Sequence, residues 1–83
     1  MTNYYITTFK DFYTDYSMYI LNSEDDRLTP AIKTKLIMQV DLLEYCLYIE
    51  YIFIGKSKEF AYTSILTRSY MRYIDKLNYL NPN

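Results

Sequence analysis

An all-helical domain is predicted for this chain by three features. Apolar residues recur at helical spacing along three long stretches, the chain holds a single glycine, and neither of its two prolines falls inside a stretch. Half of the 83 residues are apolar, which suffices for one small core and leaves no length for a second domain. The pattern reads as a three-helix, bundle-like domain with a long hydrophobic central helix.

Residues 4–21 form the first predicted helix. Tyr5, Phe9, Phe12, Tyr13, Tyr16, Tyr19 and Ile20 project onto one face, with Thr7, Asp11, Thr14, Asp15 and Met18 opposite. Tyrosine and phenylalanine also suit strands, but a 3.6-residue period held over four turns outweighs that preference. Asn22–Leu28 is a polar connector. Its Glu24, Asp25 and Asp26 lack the alternating ligand spacing and later glutamate of a calcium loop, so they read as solvated.

Thr29 before Pro30 signals a helix start and Gly55 a helix stop, which frames the central helix at residues 30–54. Lys33, Asp41, Glu44, Tyr48 and Tyr51 share one narrow strip, read as its exposed side. The remaining arc carries two seams. Leu36, Val40, Leu43, Leu47 and Ile54 form one, Leu42, Tyr45, Ile49 and Ile52 the other. Two helices of one chain cover such an arc incompletely, so the first seam is expected to hold a homodimer together. A membrane span would place Gln39, Asp41, Glu44 and Glu50 in lipid, at about 2.5 to 3.5 kcal/mol for each acid near the centre, so none is expected.

Ser57 is a plausible cap for the third helix, residues 58–80. Tyr62, Leu66, Tyr70, Tyr73, Ile74 and Leu77 make its apolar face, with Ser64, Arg68, Arg72, Asp75 and Lys76 on the other side.

The chain has no histidine, which removes most triads, zinc sites and di-iron sites, and one glycine does not make a phosphate-cradling loop. Cys46 stands alone among apolar neighbours and reads as a small buried hydrophobe. No catalytic, cofactor or metal residue is assigned, and the expectation is a protein that is not an enzyme. The N-terminus lacks a basic leader followed by an apolar run, and with one cysteine this points to the cytoplasm. Residues 1–29 hold two basic and five acidic side chains while residues 55–83 hold five and two, so the ends have the charge to pair.

Twelve tyrosines are the oddest feature, and they fit an AT-rich gene of the kind phages and mobile elements carry. A core this small satisfies few phenol hydroxyls, so some rings should lie packed with a wet edge, as at interfaces. The expected activity is therefore stoichiometric binding of a protein partner of unknown identity, such as a host factor under inhibition. Tyr48, Tyr51, Arg68 and Arg72 are the candidate contacts. The alternative is a nucleic-acid-associated regulator that uses the Arg68, Arg72 and Lys76 stripe. Asp75 beside the stripe and a net charge of -1 weigh against it.

Overall fold

The structure is a computed structural model that describes residues 8–80. Its described residues form four helices and no strand: α1 (Phe9–Leu21), α2 (Pro30–Met38), α3 (Leu42–Phe53) and α4 (Lys58–Leu80). Residues 4–7, placed in the first helix from sequence, lie outside the described residues.

The expected central helix is thus two helices, and the reason is Asp41. Its backbone is extended (φ -144°, ψ -163°), and its Oδ1 accepts from the Leu43 amide at 2.9 Å. Glu44, three residues on, accepts from the Asp41 amide at 2.9 Å, which completes a capping box. Short acids favour this arrangement over helix interior because their oxygens compete for nearby amides. On the other side of the break, the Gln39 amide closes α2 by donating to Lys35 at 3.1 Å. The polar strip imagined for residues 33–51 therefore never forms.

The starts of α2 and α4 and the end of α3 follow the sequence, whereas Thr8, which the predicted first helix ran through, is extended (φ -72°, ψ 161°), and α1 begins after it at Phe9. Thr8 and Thr29 cap α1 and α2 through their hydroxyls, which accept from Asp11 at 3.1 Å and Ile32 at 3.3 Å. The Ser57 hydroxyl accepts from the Phe60 amide at 3.0 Å and starts α4. Gly55, at φ 92°, ends α3 in the left-handed conformation. The Lys56 amide returns to Tyr51 at 2.9 Å and the Gly55 amide to Ile52 at 3.0 Å, the double closure of a Schellman turn. Lys33 donates to the carbonyls of Leu21 and Ser23 at 3.0 and 2.8 Å, so a cation from α2 closes the C-terminal end of α1.

The helices pack around Phe12, Tyr16, Ile20, Leu28, Leu36, Tyr48, Ala61, Tyr62 and Ile65. Phe12 is the centre of this cluster, stacked on Tyr16 at 5.4 Å and touching Tyr48 and Tyr62 at 5.1 and 6.1 Å. Three expectations fail here. Tyr48 is 1% exposed instead of lying on an outer strip, because the break at Asp41 turns α3 so that Tyr48 faces α1. Cys46 is exposed, since the same turn carries it away from the core. The face of α4 is also rotated from its predicted centre, with Ala61 and Ile65 fully buried and Leu77 exposed.

Core tyrosines reach partners at the margin. Tyr62 donates to Asp15 at 2.7 Å, and Tyr19 shares a 2.7 Å hydrogen bond with Thr63. Lys58 joins Asp15 at 3.2 Å, an ion pair between the acidic front and basic rear of the chain. The Tyr62 hydroxyl, and after it Lys58, hold the Asp15 carboxyl below its ordinary value of 3.8 against the opposing effect of burial. Burial pushes the Tyr62 phenol up, and Asp15 adds to that rise.

Two measurements check this construction. Asp41→Ala should lower unfolding free energy by about 1 kcal/mol in a urea titration, the usual effect of losing an N-cap; an unchanged midpoint would mean that α3 starts without it. A carboxyl with a lowered folded pKa adds stability above its unfolded value and loses it as pH falls through the folded one. The melting-temperature advantage of the wild type over Asp15→Asn should therefore be full above the ordinary carboxylate range and shrink as pH falls through and below 3.8. A constant advantage across that range would count against an ionised Asp15 contact.

Candidate functional site

Two shallow hollows adjoin on the outer face of α3 and α4. One, of about 380 Å3, is lined by Leu43, Leu47, Arg68, Met71 and Asp75, together with Glu44 and Arg72. The other, of about 330 Å3, is lined by Leu47, Glu50, Tyr51, Phe53 and Ile54. Leu47 belongs to both, so they form one groove. The Schellman turn at Gly55 sends α4 back along α3, and each helix then contributes one stripe: residues 43 and 47 from α3 with its C-cap residue 54, and residues 68, 71, 72 and 75 from α4.

Glu44 is the groove's electrostatic anchor. It is 3% exposed, yet both carboxylate oxygens are satisfied: Oε1 by the Asp41 amide, Oε2 by Arg72 Nη2 at 2.8 Å and by the Ser69 hydroxyl at 3.5 Å. Arg72 keeps about half of its side chain in water, so the pair straddles the protein boundary. Tyr16 lies on the core side of this cluster. Burial pushes its phenol up, and the Ser69 hydroxyl beside it opposes that rise.

Apolar side chains are exposed around this anchor. Phe53 is 83% exposed, Ile54 65%, Met71 54% and Leu43 49%. At the tip, Tyr51 meets Phe60 edge to face at 5.6 Å, and Lys56 lies 4.9 Å over the Phe60 ring. An open, largely apolar groove rimmed by single charges suits the side chains of another polypeptide better than a small molecule, which needs deeper enclosure.

The structure divides the residues singled out from sequence. Tyr51, Arg68 and Arg72 lie along the groove, and so do Leu43, Leu47 and Ile54 of the expected dimer seam. Tyr48 and Leu36 do not, because both are in the core. Val40 lies in a separate hollow with Met38, Gln39, Asp41, Arg72 and Lys76. Phe53, Phe60, Met71 and the anchoring role of Glu44 were not foreseen. For Glu44 a signal was present, since Asp41 and Glu44 have the spacing of a capping box. Met71 and Phe60 had none, as each sits on a helix face that the sequence leaves ambiguous.

Comparisons with protein-family models, with curated proteins and with solved structures find no match to this chain. The functional reading rests on the geometry of the groove and tip.

The Glu44 anchor is testable by stability alone. Arg72→Met should destabilise the fold by roughly 1.5 to 3 kcal/mol, because it strips a charged hydrogen bond from a buried carboxylate. Adding Glu44→Gln should recover part of that loss, since the amide carries no charge and its carbonyl can still accept from Asp41. Urea unfolding of the two variants reads both effects, and a neutral Arg72→Met would show that Glu44 is held by its capping role alone.

Proposed function

We propose that the chain acts by stoichiometric binding of another protein, with the tip of the α3–α4 hairpin as its contact surface. The observation that carries this reading is the aromatic and aliphatic tip: Phe53 and Ile54 stand in solvent beside the hollow of Leu47 and Tyr51, with Phe60 across from them. Exposed aromatic anchors beside a small apolar hollow are what an interface core is built from. Lys56 and Glu50 supply opposite charges at its edge. The proposed setting is a phage or mobile element with a host factor as target. Glu44, the buried carboxylate of the groove, has its oxygens occupied by hydrogen bonds, which favours binding over turnover.

Relative to the sequence expectation, the contact moves away from Arg68 and Arg72. Arg72 is committed to Glu44, which also leaves the Arg68, Arg72 and Lys76 stripe without its central free cation. The nucleic-acid alternative is weakened for the same reason.

Phe53→Ser with Ile54→Ser should leave the helical spectrum and melting temperature unchanged, because both side chains are largely in solvent already. A protein retained from host lysate by the wild type, once identified and purified, should saturate at a fixed molar ratio. It should bind the variant on the order of thirtyfold more weakly, the usual effect of losing an interface anchor. Equal affinity for both would refute the tip as the contact. Activity that persists at many-fold partner excess would refute stoichiometric action.

A further inference from the structure

We infer that a second copy of this chain occupies the Leu43–Met71 end of the groove, with the two α4 helices antiparallel about a two-fold axis between Met71 and Arg72. The inference comes from the charge pattern of α4. Arg68 and Asp75 line the groove, are exposed, and form no ion pair among the described residues. They stand seven residues apart, two helical turns or about 10.5 Å, on one face, with Met71 and Arg72 midway between them. Such a spacing does not let Arg68 reach Asp75 within one copy.

Across a two-fold axis at that midpoint, residue i of one helix lies opposite residue 143 - i of the other. Arg68 then faces the second copy's Asp75, and the contact occurs twice. Met71 faces Arg72, and Thr67 faces Lys76. The only like charges near the axis are the two Arg72 side chains, each already neutralised by its own Glu44 at 2.8 Å. The register also brings together the exposed apolar surface of Met71 and Leu43, 54% and 49% exposed in the single chain. A face with Met71 and the Glu44-paired Arg72 in the middle and opposite charges at equal distances on either side is complementary to itself. The second copy is therefore the occupant its chemistry specifies. Of the seam expected from sequence, Leu43 lies on this surface, Leu47 links it to the tip, and Leu36 and Val40 fall outside it.

Charge reversal tests the register directly. The wild type should sediment near twice the 10.1 kDa chain mass at micromolar concentration. Arg68→Asp and Asp75→Arg should each weaken the dimer on the order of a hundredfold, since two attractive contacts become two repulsive ones. An equimolar mixture of the two single variants should recover the dimer mass, because each then offers the charge that the other needs. Both positions are exposed, so the helical spectrum of each variant should match the wild type. A wild type that sediments at the chain mass up to high micromolar concentration would overturn the inference. So would single variants that dimerise as well as the wild type, or a mixture that stays monomeric. The proposed tip contact is read separately by Phe53→Ser with Ile54→Ser, which leaves Arg68 and Asp75 in place, so either proposal can fail without the other.

Discussion

The two oxygens of Glu44 act in different parts of the fold. One accepts from the Asp41 amide and fixes where α3 begins; the other accepts from Arg72 and fixes how α4 lies against it. A charge this buried is tolerable only when its lone pairs are filled and its partner keeps contact with water, and both conditions hold. The consequences spread in both directions along the chain. Because α3 starts afresh at Leu42, α2 is free to take its own direction and buries Leu36 in the core. Toward the C-terminus, Arg72 and Glu44 line the same groove as the Leu43 and Met71 side chains.

The core shows how a tyrosine-rich sequence avoids accumulating unsatisfied hydroxyls. Tyr62 and Tyr19 enter ring first, and their hydroxyls emerge at the boundary between α1 and α4, where Asp15 and Thr63 meet them. Tyr16 sits deeper, with its ring stacked on Phe12 and its hydroxyl beside Ser69.

The helical class, the last helix, the first helix from Phe9 on and three of the caps were legible because each rests on a local rule. Threonine before proline, serine before α4 and the lone glycine after α3 act on amides within a few residues of themselves. The break at Asp41 is equally local, but a long apolar arc on both sides masks its D-x-x-E spacing. Tyr48 and Cys46 are displaced with it, since residues after a break rotate together. Part of the groove lining could be read from spacing: Leu43, Leu47 and Ile54 share one helical seam in the sequence, and Arg68 and Arg72 one helix face. That these two sets line one surface depends on tertiary packing, as does the Glu44–Arg72 pair, whose members are 28 positions apart. No pattern within one helix encodes such a contact.

The Schellman turn at Gly55 bears on how the hairpin tip would meet another molecule. Phe53 belongs to the last turn of α3, Phe60 to the first turn of α4, and the residues between them are tied by backbone hydrogen bonds. The anchors are therefore displayed by helix ends and not by a long loop. Little backbone freedom remains to be lost when they are covered, so the tip is preorganised. Association through a surface of this kind proceeds without a folding step, and changes in its side chains act chiefly on how long the complex lasts.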